Sequence, residues 1–273
     1  MSKLKKALEK AKEARGDFDR RPLERIAPAP VPDRDRQDET ARKSYSPFKP
    51  TYTQTKVIKC DSDFMQLNRI LPVCTLDGAD RLKILRTQIL SVVSENGGNS
   101  LLVTSANPGE GKTLTAINLA ISFSHQINGT VLLVDGDIKK PTIHKYFGLE
   151  DGPGLSDYLI GKAEIEQVLV NPGMERLVIL PGGRPLTNSA ELLDSARMKL
   201  LFREMKERYS DRYIIFDSAP VLTSADPLVF ANFVDRILVV VEAEKTKRDD
   251  LKKVFDVMKS RPVIGTVLNK TID

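Results

Sequence analysis

Three short runs of this 273-residue chain carry residue types suited to phosphate and metal chemistry. The first is Ala106-Asn107-Pro108-Gly109-Glu110-Gly111-Lys112-Thr113, followed by Leu114. Its glycines let successive backbone N–H groups turn inward on an anion. A helix opening at Lys112 adds unpaired donors and the positive end of its dipole. The lysine can neutralise β- and γ-phosphate charge, and the Thr113 hydroxyl can ligate Mg2+. The second run, Asp135-Gly136-Asp137, and the third, Asp217-Ser218-Ala219-Pro220, each follow four residues of strand-like character. Asp217 is placed like the acid that holds a magnesium shell. Of Asp135 and Asp137, one can steady the metal while the other accepts a proton from an attacking hydroxyl or water. An isolated acid at a strand end is usually a turn residue. Three of them alongside a phosphate loop point instead to a site for a nucleoside triphosphate with magnesium.

These runs need a scaffold that brings their ends together, and the apolar pattern supplies one. Strands are expected at 100–105, 131–134, 177–180, 213–216, 237–241 and 263–268. Helices are expected from Asp80 to about Glu95 and over 112–126, 195–209 and 249–259. Continuous apolar strands alternating with helices imply an α/β fold, a mostly parallel sheet with helices on both faces. Ligands of such sheets bind beyond the carboxyl ends of the strands, where all three runs fall.

The first part of the chain reads differently. Residues 2–15 suit a short helix capped by Ser2, with Leu4, Ala7, Leu8 and Ala11 on one face. Seven prolines and mixed charges then dominate to about residue 75, a composition that cannot offset its ordering entropy. The expected organisation is therefore a helix over 1–16, a disordered linker over 17–75 and a P-loop NTPase domain over 76–273. Net charge is +5 overall, but residues 1–60 carry +7 and the remainder −2. The near-neutral folded part speaks against a nucleic-acid partner, and the basic segment suits an acidic partner, anionic lipid or plain solvation. Cys60 and Cys74 lack metal-ligand spacing and fit a reducing cytosol. His125 and His144 also lack metal-ligand spacing and read as structural.

The set of motifs resembles the bacterial tyrosine kinases of capsule and exopolysaccharide synthesis, over roughly Ala79 to Asp273. Ala106–Thr113 looks like that family's variant Walker A, Val131–Pro141 like its A′ motif and Ile214–Pro220 like its Walker B. Gly154–Leu159, Leu180–Gly183 with Glu191–Leu193, and Val267–Asn269 agree. The start of the chain is similar to stand-alone kinases found with exosortase-type polysaccharide clusters. The resemblance implies ATP-dependent phosphorylation of tyrosine, with residues 107–114 and Asn269 on the nucleotide. It implies Thr113, Asp137 and Asp217 on Mg2+, and Lys112 and Asp135 in catalysis. It also implies a homo-oligomer, a tyrosine-containing protein substrate and a membrane-embedded chain-length co-polymerase as partner. The protein would then be cytoplasmic and held at the inner membrane by that partner.

Departures from the family pattern are informative. Lys139 stands where Arg is usual and loses the bidentate fork. A ring-forming Glu-x-x-Arg-x-x-Arg segment becomes Asp80, Lys83 and Arg86, followed by Thr87. The usual C-terminal tyrosine cluster is missing, since no tyrosine follows Tyr213, and Tyr45 and Tyr52 are the candidate phosphosites instead. Two other readings share the motifs. One is a ParA/MinD-like switch ATPase, against which Asn107 counts because that group has lysine there. The other is a non-catalytic, nucleotide-binding regulator of polysaccharide export.

Overall fold

The computed structural model describes residues 55–70, 76–94, 97–125, 129–207 and 211–271. The expected helix over 2–15, Tyr45, Tyr52 and Cys74 lie outside them. Eight strands form one sheet: β1 (Lys56–Val57), β2 (Ser100–Ser105), β3 (Thr130–Asp135), β4 (Val170–Asn171), β5 (Leu177–Leu180), β6 (Arg212–Asp217), β7 (Arg236–Glu242) and β8 (Val263–Asn269). Their order is β1-β4-β5-β3-β6-β2-β7-β8. The six strands from β5 to β8 are mutually parallel. Strand β4 runs antiparallel to β5, and β1 runs parallel to β4.

Alternation along each strand divides the core in two. Leu101, Val103, Val131, Leu133, Ile215, Leu238 and Val240 face one side. There they meet α2 (Leu76–Ser94) and α3 (Lys112–Ser124) through Ile89, Val93, Ile117, Leu119 and Ile121. Leu102, Leu132, Val134, Ile214, Phe216, Ile237 and Val239 face the other side. That layer holds α8 (Ala196–Glu207), whose Met198, Leu201, Phe202 and Met205 recur at helical spacing. It also holds α9 (Asp226–Phe230) and α10 (Arg248–Val257). Phe216 joins the aromatic rings of Phe202 and Phe230 across this layer.

The linker expected over 17–75 ends sooner than its composition suggests. Strand β1 pairs with β4, and α1 (Ser62–Leu67) is capped by the Asp61 carboxylate, which accepts from the Asp63 amide at 2.9 Å. Met65 and Ile70 are buried with the α3 layer. Two apolar anchors suffice to fix a stretch whose periodicity is too short to register. Helix α2 likewise starts at Leu76, ahead of Asp80. The remaining short helices are α4 (Ile143–Tyr146), α5 (Leu155–Leu159), α6 (Ile165–Val168) and α7 (Ser189–Leu193).

Candidate active site at the carboxyl edge of the sheet

Strand β2 lies at the centre of the parallel sheet, and residues 106–113 leave its carboxyl end to open α3. Gly109 and Gly111 bend the loop at φ of 83° and 94°, in the left-handed region that favours glycine. A Cβ on Gly111 would meet the Asn269 amide nitrogen at 2.0 Å, so the position tolerates no side chain. The loop is braced from the β7–β8 side. Asn269 Nδ2 donates to the Glu110 carbonyl at 2.9 Å, and Lys270 Nζ donates to the Gly109 carbonyl at 2.7 Å. The buried Glu110 carboxylate accepts from the Asn107 amide at 3.1 Å and from the Thr246 hydroxyl at 2.6 Å. Asn107 Nδ2 donates to Asp250 at 3.2 Å. Of the loop residues expected on the nucleotide, Glu110 therefore points into the protein, and Leu114 packs against the α3-side core. Pro108 and Gly109 are exposed at the tip.

Register sets the acids. Asp135 at the end of β3 pairs directly with Asp217 at the end of β6, whose next neighbour is Val103 of β2. Gly136 sits where a Cβ would strike Phe230 at 2.6 Å and the Asp217 carbonyl at 2.7 Å, and its amide donates to that carbonyl at 2.8 Å. The missing side chain is what lets the A′ turn lie on the Walker B strand. Asp135 and Asp217 are fully buried. One Asp135 oxygen accepts from the Thr142 and Ile143 amides, both at 2.9 Å. Its other oxygen and both oxygens of Asp217 have no hydrogen-bond partner.

Burial pushes Asp135 up to about 7, with the charge of Asp217 adding to the rise and the two amides opposing it. Burial also pushes Asp217 up to about 6, opposed by Lys112. The Lys112 ammonium lies 3.4 Å from Asp137 and 3.9 Å from Asp217, and donates to the Thr113 hydroxyl at 3.2 Å. Burial alone would lower its pKa, but Asp217, Asp137 and Asp135 outweigh that and hold it above its ordinary value.

The donor set suits Mg2+. Buried carboxylate oxygens without partners beside a threonine hydroxyl are hard oxygen ligands that lack compensation. Among the described residues no three His, Cys, Asp or Glu side chains close on one point. Magnesium takes one or two carboxylates and fills its shell with water and substrate phosphates.

Sequence reasoning missed Ser224, Asp226, Thr246 and Asp250. Lys139 Nζ donates to Ser224 Oγ at 3.1 Å and lies 3.8 Å from the buried Asp226. These partners are remote in sequence and belong to no motif. Asp80 and Lys83, expected at an oligomer contact, are exposed and pair with each other at 2.7 Å. Arg86 turns inward and donates to the Ser122 carbonyl of α3. No helix among the described residues is long and apolar enough to cross a membrane.

A parallel sheet covered on both faces, a glycine-bent loop opening a helix, and acids ending two adjoining strands define a P-loop nucleotide-binding protein. A family model described as "AAA domain" matches residues 100–270. The chain is 35% identical over 194 residues to tyrosine-protein kinase YwqD of Bacillus subtilis, covering 70% of this chain and 80% of YwqD. It superposes on the kinase domain of Escherichia coli tyrosine kinase ETK with a TM-score of 0.66 at 27% identity, covering 70% of this chain and 75% of that one. The chain thus belongs to the bacterial tyrosine kinase family. The septum site-determining protein MinD of Pyrococcus horikoshii shares the fold, with a TM-score of 0.52 at 23% identity over 62% of this chain and 69% of that one.

Proposed function

We propose that this chain transfers the γ-phosphoryl group of ATP to a tyrosine hydroxyl of a protein and thereby regulates polymerisation and export of a capsular or extracellular polysaccharide. The observation that carries the reading is Asp135. It is fully buried beside Asp217, with one oxygen held by the Thr142 and Ile143 amides and the other left without a partner. That is a fixed carboxylate with one face prepared for a proton.

In this reading the amides of residues 109–113 and the Lys112 ammonium hold the phosphates. Thr113, Asp137 and Asp217 hold Mg2+, which supplies charge neutralisation at the phosphoryl oxygens when bound. Asp135 accepts the phenolic proton as the tyrosine oxygen bonds to the γ-phosphorus, and ADP departs with the electrons of the broken bond. Glu110, Asn107 and Asn269 keep the loop in shape. A second copy of the chain and a membrane-embedded co-polymerase are its partners, and the latter brings it to the inner membrane.

The test is incubation of the purified protein with labelled ATP and Mg2+, with and without the partner's cytoplasmic segment. Phosphotyrosine that disappears in Lys112→Met supports the kinase. Release of phosphate to water with no phosphotyrosine assigns the chain to the MinD-like switches instead, and nucleotide binding with neither product makes it a regulator.

A further inference from the structure

A cleft of about 860 Å³ opens beside the catalytic edge, separate from the phosphate loop. Pro141, Pro181 and Gly183 form its inner end. Gly182 stands between the last two, where a Cβ would strike the Pro141 ring at 2.7 Å and lie 3.2 Å from Asp135 Cγ. Position 182 admits no side chain, so the wall between cleft and carboxylate is bare backbone there.

A second glycine fixes this wall. A Cβ on Gly154 would overlap the Pro181 carbonyl. Without one, the Leu155 amide donates to the Pro181 carbonyl at 2.7 Å and the Ser156 amide to the Gly182 carbonyl at 3.0 Å. The inner end is therefore a firm surface of backbone and proline rings. Such a surface suits the apolar body of a tyrosine ring and leaves its polar tip free.

From there the cleft runs outward to β1, where Lys56 and Ile58 line it. Strand β5 adjoins β3, β4 adjoins β5, and β1 adjoins β4. Three strand spacings make about 14 Å, the length of about four extended residues.

Positive charge predominates along this path. Lys56, Lys145 and Arg184 line the cleft against Glu150 and Asp151. Asp151 is engaged by His144, whose Nε2 lies 2.8 Å away. Lys56 and Lys145 pair with no acid among the described residues. Arg184, next to the inner end, has its Nε 3.1 Å from the buried Asp157, yet 67% of its side chain is exposed. One nitrogen of the guanidinium is thereby anchored while its other donors remain for a ligand. The tyrosines among the described residues, Tyr146, Tyr158 and Tyr213, pack against the two cores, so none of them is on offer to the cleft.

We propose that this cleft is the acceptor subsite. It holds the acidic residues that flank a tyrosine on a separate polypeptide and delivers that tyrosine past Gly182 to Asp135. The inference rests on the kinase reading above and adds the class of substrate, an extended acidic peptide.

The experiment uses the full chain, Mg2+ and ATP, with short tyrosine peptides flanked by glutamate, alanine or lysine. Binding of the same peptides, fluorescently labelled, is read by anisotropy without ATP. The glutamate peptide should show a KM roughly tenfold below that of the lysine peptide, and the affinities should follow the same order. Lys145→Glu combined with Arg184→Glu should reverse the order. Gly152→Trp should fill the cleft, since a Cβ there meets nothing nearer than 3.9 Å; it should raise KM for every peptide with little change in kcat. Calorimetric ATP affinity verifies that each variant is folded. Transfer with KM and affinity indifferent to the flanks, or to the charge reversal, would overturn the inference and leave the kinase standing. No phosphotyrosine on any peptide would remove the kinase reading, and the binding measurements would still decide whether the cleft selects acidic peptides.

Discussion

Asp135 and Asp217 sit side by side at the ends of neighbouring strands, both out of water, and both resist ionisation. Their pKa values are raised above the ordinary carboxylate range, so the folded chain retains protons that the unfolded chain gives up above about pH 4. The stability this contributes is complete below that pH and is lost as pH rises through about 6 to 7. The metal-free protein is therefore expected to lose stability between pH 5 and about 7.5, measured by denaturant titration across that range. Asp135→Asn should flatten the profile and raise stability at pH 7.5 by about 1–3 kcal/mol. In the proposed mechanism the same substitution takes away the proton acceptor, and it should lower phosphoryl transfer by about 10²-fold or more. A variant that is sturdier and inactive is the signature of a group placed for chemistry at the expense of the fold.

At the scale of elements, motif and brace differ in how far apart their parts lie. The loop, the A′ run and the Walker B run are contiguous, and a strand before a helix identifies their setting, so the sequence alone reveals them. Thr246 and Asp250 reach Glu110 and Asn107 across 136 and 143 residues, and only the folded sheet brings them together. Strands β1 and β4, of two residues each, fall below any periodicity. Two expectations follow. Glu110→Ala leaves the Asn107 amide and the Thr246 hydroxyl without their acceptor, and should cost about 1–3 kcal/mol and weaken nucleotide binding in calorimetry. Ile70→Ala, in a stretch whose composition reads as linker, should cost about 2–5 kcal/mol in denaturation because Ile70 is fully buried.

On the scale of the whole molecule, the helix expected to build a ring has two distinct jobs. Asp80 and Lys83 present charge to solvent, while Arg86 ties α2 to the end of α3. Lys83→Glu should therefore change the mass seen by light scattering and leave the melting temperature nearly constant. Arg86→Ala should lower stability by about 1–3 kcal/mol in addition to any change in mass. The sequence marks all three charges equally, because their spacing along the helix carries no sign of which one turns inward.

The Lys112 ammonium between Asp137 and Asp217 has a consequence for how the protein senses its ligands. It acts as an internal counter-ion, so a free divalent ion arriving alone must evict a cation already in place. In the proposed function a triphosphate would draw the same ammonium away and expose the carboxylates to the ion it carries. Occupancy by one ligand thus raises affinity for the other, and by reciprocity the converse holds. In the proposed function the site would then act as a coincidence detector, responding to the metal–nucleotide complex and ignoring swings in free magnesium.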